Sequence, residues 1–133
     1  MVELALAGEA GCEASRLDAE AEQSYSIETI ERLRPQLAPG DQLFFLIGAD
    51  AFGEIRTWRR WREVARAVEF LVVSRPGHSF AVPKEARIER LDTLDLKVSS
   101  TEIRQRLAAG EAAVEVPAVV LSYIRQRSLY AAS

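Results

Sequence analysis

The sequence predicts an α/β fold whose sheet is parallel and covered by helices on both faces. Three observations carry that expectation. Short apolar runs alternate along the chain with segments of helical period, the order of an α/β architecture. Two of those runs, Leu43–Ile47 (LFFLI) and Val68–Ser74 (VEFLVVS), are essentially apolar throughout instead of alternating, as strands buried on both faces are. Prolines and glycines fall between the runs, at Pro35, Pro39, Gly40, Pro76, Gly77 and Gly110, where turns are required.

Taken in order, Met1–Ala7 has the character of the end of a helix, broken by Gly8 and Gly11. A short strand is expected near Glu13–Leu17. Ser24 or Ser26 then caps a helix reaching about Arg34, with Ile27, Ile30 and Leu33 on one face, stopped by the prolines and Gly40. Leu43–Ile47 is the first buried strand. Residues 58–67 form a helix turning Trp58, Trp61, Val64, Ala65 and Val68 inward, and Val68–Ser74 is the second buried strand. A third strand is expected within 88–96, after a loop at His78–Glu85 that is the best candidate for mobility. Ser99–Ala109 is a helix ended by Gly110. Pro117–Arg127 is the last helix, with Pro117 in its first turn and Val120, Tyr123 and Ile124 inward.

Composition narrows the function classes. The 133 residues suit one domain, with 48% hydrophobic and 28% charged residues, ordinary values for a globular chain. The net charge of −3 provides no global attraction to nucleic acid or to an anionic membrane, so neither is expected as a partner. One cysteine (Cys12) and one histidine (His78) exclude an intramolecular disulfide and are too few for a Cys/His zinc cluster. No apolar run approaches the length of a membrane span, and MVELALAGEA lacks the basic start of a signal peptide. A lone unpaired cysteine fits a reducing cytoplasm.

Four motifs could carry chemistry, and each has a plainer structural reading. Val98-Ser99-Ser100-Thr101-Glu102-Ile103-Arg104 follows a strand, with Ser99 and Glu102 at capping-box spacing. Three hydroxyls and an arginine at a helix N-terminus suit a phosphate chain, or simply a well-capped helix. Gly48-Ala49-Asp50 stands at the carboxyl end of the LFFLI strand, where open α/β sheets bind ligands. There a carboxylate can accept from ribose hydroxyls, or the residues can form a turn and helix cap. Thr57-Trp58-Arg59 could stack an indole on a flat ring beside helix amides, or Trp58 could be core like Trp61. Arg56, Arg59, Arg60, Arg62 and Arg66 read mostly as a solvated face. In Ser74-Arg75-Pro76-Gly77, Arg75 could reach phosphate or pair with a carboxylate, and His78 has no assigned role.

These residues resemble the nicotinate-nucleotide adenylyltransferases of the nucleotidyltransferase superfamily. The likeness runs through Ser24-Tyr25-Ser26, Phe45-Leu46-Ile47-Gly48-Ala49-Asp50, Thr57-Trp58-Arg59, Val73-Ser74-Arg75-Pro76-Gly77 and Ser99-Ser100-Thr101-Glu102-Ile103-Arg104 to Leu129-Tyr130. The resemblance implies a Rossmann-like sheet and a place in NAD biosynthesis. In the family's reaction, nicotinate mononucleotide and ATP become deamido-NAD and pyrophosphate, with Mg²⁺ assisting. It implies ATP phosphates at Ser99, Ser100, Thr101 and Arg104, and the mononucleotide ribose at Asp50. The nicotinate ring would stack on Trp58, and its carboxylate would meet the backbone N–H groups of Ser26 and Arg59. Arg75 would lie near the nucleotide.

The family also carries a first strand, a glycine-rich turn and a helix with a histidine-x-glycine-histidine motif. This sequence has no such motif, and His78 is its only histidine. Residues 1–133 therefore read as the C-terminal portion of a single nucleotidyltransferase domain, with no catalytic residue assigned. Loss of the first strand would give the LFFLI strand a bare edge, open to self-association. A non-catalytic nucleotide-binding or interaction remnant is the alternative. A phosphopantetheine adenylyltransferase is disfavoured by Thr57-Trp58 and Ser24-Tyr25-Ser26. Purified residues 1–133 alone are expected to form no deamido-NAD. A product peak in a chromatographic assay would overturn this.

Overall fold

A computed structural model describes residues 1–74, 77, 79–92 and 98–130. They fall into two compact units, Arg16–Asp95 and, separately, Met1–Ser15 with the segment from Leu96 onward. In chain order the elements are α1 (Val2–Ala5), α2 (Ser26–Leu33), β1 (Phe44–Gly48), α3 (Ala49–Gly53), α4 (Trp61–Ala67), β2 (Glu69–Ser74), β3 (Arg87–Asp92), α5 (Ser100–Ala108) and α6 (Ala118–Gln126). Single 3-10 turns occur at Arg34–Gln36 and Ile55–Thr57.

Within Arg16–Asp95 the strands form one parallel sheet in the order β1-β2-β3. Parallel neighbours need crossovers, and α3 with α4 makes the one between β1 and β2. Register pairs Phe45 with Phe70 and Ile47 with Val72, so these side chains share one face. That face builds the core. Phe70, Phe52 and Val64 are fully buried, joined by Ile27 and Ile30 of α2. The Phe70 ring lies 5.8 Å from Phe45 and 5.2 Å from Phe52, the latter edge-on, the geometry aromatic quadrupoles favour.

The opposite face departs from expectation. Phe44 and Leu46 are 45% and 65% exposed, so β1 is not buried on both faces. β1 lies at an edge of the three-stranded sheet, and α3 packs against it. Leu71 and Val73 of β2, on that same side, are half-buried. The expected strand near Glu13–Leu17 is also absent, since those residues pair with no strand and lead into a turn. Helix α4 begins at Trp61, not at 58, and Trp58 stands ahead of it. In the expected mobile loop, Phe80 packs edge-on against Phe52 at 5.5 Å and Pro83 is buried, while His78 lies outside the described residues.

In the other unit, α1 packs against α6, which buries Val120 and Ile124 and half-buries Tyr123. Pro117 takes the cap position, one residue before the expected first turn. Arg106 on α5 donates to the Ala112 carbonyl and to Glu115, fastening the segment after α5 to that helix. Its guanidinium holds the Glu115 carboxyl below the usual range. Cys12 is exposed and free. Among the described residues no helix is long and apolar enough to cross a membrane.

Replacing Phe70 by Ala should cost about 3–5 kcal/mol, because a buried ring leaves a cavity its neighbours fill only partly. Leu46→Ser, at a position two-thirds exposed, should stay within roughly 0.5 kcal/mol of the parent. Urea midpoints of the two variants test the contrast.

Candidate active site

The site begins with the entry into α2. Tyr25 occupies the cap position in extended conformation, and its carbonyl accepts from the N–H groups of Glu28 and Thr29. No side chain caps the helix, so neither Ser24 nor Ser26 is the expected cap. Ser24 instead donates to Asp18 at 2.9 Å, while Ser26 is the first helical residue. With Glu28 and Thr29 taken by the Tyr25 carbonyl, the N–H groups of Ser26 and Ile27 at the start of the helix have no intrahelical acceptor, which suits them to an anion.

Asp18 organises this entry. Its carboxylate accepts from the Ser24 hydroxyl, from Thr29 Oγ1 at 2.6 Å and from Arg32 Nη1 at 2.6 Å. The Thr29 hydrogen bond above all, with those of Ser24 and Arg32, holds its carboxyl below the ordinary aspartate range. Asp18, Ser24, Ser26 and Thr29 form the polar side of a cavity of about 300 Å³ whose apolar wall includes Leu33, Phe44, Phe45 and Val68.

Trp58 approaches from the next crossover. Thr57 donates from its N–H and from its hydroxyl to the Glu54 carbonyl, and Trp58 N–H donates to the Ile55 carbonyl. The indole is half-buried, its centroid 5.6 Å from the Phe45 ring at 58°. Trp58 is thus neither fully core nor free: it packs against the core cluster with its ring beside Phe45 and stays half-buried. The Trp61 N–H donates back to the Trp58 carbonyl, closing a turn in which Arg60 is left-handed (φ 52°, ψ 38°). For a residue with a Cβ that conformation costs about 1–2 kcal/mol.

Ion pairs bind this turn to α2. Arg59 Nη1 lies 3.1 Å from Glu28 Oε1, and its guanidinium stacks 4.7 Å above the Tyr25 ring. Arg60 makes a bidentate pair with Glu63, at 2.8 and 2.7 Å, and reaches Glu31 of α2 with Nη1 at 2.9 Å. The Glu63 hydrogen bonds, then those with Glu31, hold the Arg60 guanidinium still further into its charged range, and Arg60 in turn depresses the Glu63 carboxyl. Arg59 and Arg60 are exposed, as expected of a solvated face, and each is also ion-paired to α2. The i,i+3 spacing of Arg60 and Glu63 and the i,i+4 spacing of Glu28 and Arg32 could have signalled part of this network. Nothing in the sequence signals Glu31–Arg60 or Asp18–Thr29, which depend on the chain's path.

Gly48 ends β1 and takes the cap position of α3 with φ −72°. A Cβ built there meets nothing within 4 Å, so the chain itself does not require glycine. Asp50 is exposed in the first turn of α3, at the carboxyl end of the strand as the sheet rule places it. Arg75 lies outside the described residues. In the other unit, Ser99 caps α5, its hydroxyl accepting from Glu102 N–H at 3.5 Å, half of a capping box. Its own proton remains able to donate. Ser100, Thr101 and Arg104 are exposed on the same helix, with the Arg104 guanidinium 5.9 Å from the Tyr130 ring.

The structure thus brings Ser26, Trp58 and Arg59 together through Tyr25, Glu28 and Phe45. Asp50 lies on the same unit and Ser99–Arg104 on the other. The Asp18 cluster makes acid stability testable. A carboxyl with a depressed folded pKa stabilises the fold above its ordinary value of about 3.9, and that stabilisation is lost as pH falls through the lower folded value. Asp18→Asn should therefore be less stable than the parent near neutrality, with the gap closing below about pH 4. Urea midpoints that differ equally at every pH would contradict this.

The family described as Cytidylyltransferase-like matches residues 1–106. A Solibacter usitatus protein named "probable nicotinate-nucleotide adenylyltransferase" is 57% identical over 98% of this chain and 69% of its own length. A protein of the same name from Exiguobacterium sibiricum is 40% identical over 82% of this chain and 58% of its own length. Among solved structures, the nicotinic acid mononucleotide adenylyltransferase of Plasmodium falciparum complexed with APC superposes with a TM-score of 0.67, at 18% identity over 89% of this chain and 64% of that one. At that identity the likeness concerns the fold, a Rossmann-like parallel sheet with helices. With its family matched over most of its length and a relative more than half identical, the chain belongs to the nicotinate-nucleotide adenylyltransferases of the cytidylyltransferase-like family.

Proposed function

We propose that this protein serves the transfer of an adenylyl group from ATP to nicotinate mononucleotide, giving deamido-NAD and pyrophosphate. The observation that carries the reading is the joining of two turns, in a chain of this family. Ser26 opens α2, and the Trp58-Arg59 turn is held against that helix by Arg59–Glu28 and the Arg59–Tyr25 stack. Here the nicotinate carboxylate meets the backbone N–H groups of Ser26 and Arg59, and the ring stacks on Trp58. Asp50 accepts from the ribose. Ser99, Ser100, Thr101 and Arg104 hold the ATP phosphates, with Arg75 near the nucleotide.

The mononucleotide phosphate oxygen attacks the α-phosphorus of ATP. The bond to the bridging oxygen of the leaving pyrophosphate breaks as the new phosphoanhydride forms, so no enzyme nucleophile is required. The chain's task is to position two anions and neutralise their charge. Among the described residues no group of three or more His, Cys, Asp or Glu could hold a metal ion. Mg²⁺ is proposed to accompany the triphosphate and neutralise its charge. The two units are proposed to be parts of one nucleotidyltransferase domain acting in the cytoplasm. The exposed edge of β1, with Phe44 and Leu46, also favours self-association.

Calorimetric titration with nicotinate mononucleotide and with ATP tests the binding. Trp58→Ala should weaken the mononucleotide roughly 5-fold, the worth of one aromatic stack, and leave ATP unchanged. Arg104→Ala should weaken ATP roughly 10-fold and leave the mononucleotide unchanged. Deamido-NAD formation by the product of the gene in its native genomic context tests the chemistry. Failure of the parent protein to bind either ligand would overturn the reading. Light scattering that shows a monomer at every concentration would remove the self-association.

A further inference from the structure

Arg60 presents a physical puzzle. It is the third residue of the turn closed by Trp61 N–H and the Trp58 carbonyl, and its φ of 52° is one that glycine adopts without penalty. A bulky charged side chain there requires a reason. The side chain supplies one, because every arm of the guanidinium is engaged. Nε and Nη2 chelate Glu63, one turn into α4, and Nη1 reaches Glu31 on α2. Backbone strain of this kind persists where surrounding contacts over-determine it.

The consequence lies in what precedes Arg60. Trp58 and Arg59 are the two residues before it, and the turn fixes where the indole and the Arg59 N–H point. The bond to Glu63 sets the turn relative to α4, and the bond to Glu31 sets it relative to α2, the helix whose first residue is Ser26. We propose that Arg60 is a positioning residue for the pyridine mononucleotide. It clamps the Trp58-Arg59 turn against α2, so that the stacking surface and the two sets of backbone N–H groups form one site. Arg60 touches no substrate in this role. The proposal rests on the reading of the function above, and it deepens that reading by identifying what sets affinity for the pyridine half of the reaction.

The test uses three variants. Arg60→Gly relieves the backbone and removes the clamp. Arg60→Lys keeps the charge but loses the bidentate fork. Glu31→Gln, at an exposed position on α2, removes only the tether to that helix. All are made in a Trp61→Phe background, so that fluorescence reports Trp58 alone, and each is titrated separately with nicotinate mononucleotide and with ATP. Melting temperature and hydrogen exchange over 54–64 are measured without ligand.

The expected result is a 3- to 10-fold loss of mononucleotide affinity in Arg60→Gly and about 3-fold in Glu31→Gln, on the scale of a surface ion-pair network. ATP affinity should stay within about 2-fold, melting should be nearly unchanged, and exchange at the hydrogen-bonded amides of Trp58 and of position 61 should be faster. Arg60→Lys should recover part of the loss. Unchanged mononucleotide affinity in both Arg60→Gly and Glu31→Gln would overturn the proposal. So would an equal loss of both ligands with a parallel fall in melting temperature, which marks general destabilisation. If the parent protein binds no mononucleotide, the functional reading fails on its own, and the exchange data then decide whether Arg60 holds the turn. Unaltered exchange would overturn that as well.

Discussion

Parallel pairing of β1 with β2 in a single register is the constraint on which the Arg16–Asp95 unit depends. A shift of one residue would turn Phe70 and Val72 away from Phe52 and Val64 and present Glu69 and Leu71 to the core instead. Because the register holds, Ile47 faces the core and Gly48 ends the strand and hands the chain to α3, so Asp50 emerges at the carboxyl end of the sheet. The same pairing seats Phe45 beside Phe70, and Phe45 then gives Trp58 a surface to rest on. The indole's place at the rim is thus inherited from the core.

Polar contacts finish what the sheet begins. The apolar core positions α2 through Ile27 and Ile30, but those residues say little about how the chain enters the helix. Asp18 settles that on one side by gathering Ser24, Thr29 and Arg32, and Arg59 and Arg60 settle it on the other through Glu28 and Glu31. Each pair is exposed and weak by itself. Their combined effect is geometric, since a short helix braced from both sides presents its first turn in one direction.

Much of this was legible in the sequence. The runs LFFLI and VEFLVVS announced two parallel strands, the Ile27–Ile30 spacing announced the inner face of α2, and Ser99 with Glu102 announced a cap. Local pattern was less informative where tertiary context decides. Leu46 sits in a run with the composition of a doubly buried strand but is two-thirds exposed on an edge strand. Trp58 has the spacing of a helix residue, yet the left-handed turn at Arg60 delays α4 to Trp61. The longer-range ion pairs of the site, Asp18 with Arg32, Glu28 with Arg59 and Glu31 with Arg60, join residues 14 to 31 positions apart, beyond the reach of any periodicity.

Both tryptophans lie in the Arg16–Asp95 unit, whereas the sole cysteine, Cys12, is exposed on the other. A maleimide dye therefore reaches one defined position, and the indoles, both in the Arg16–Asp95 unit, give that unit an intrinsic fluorescence of its own, without a single engineered residue.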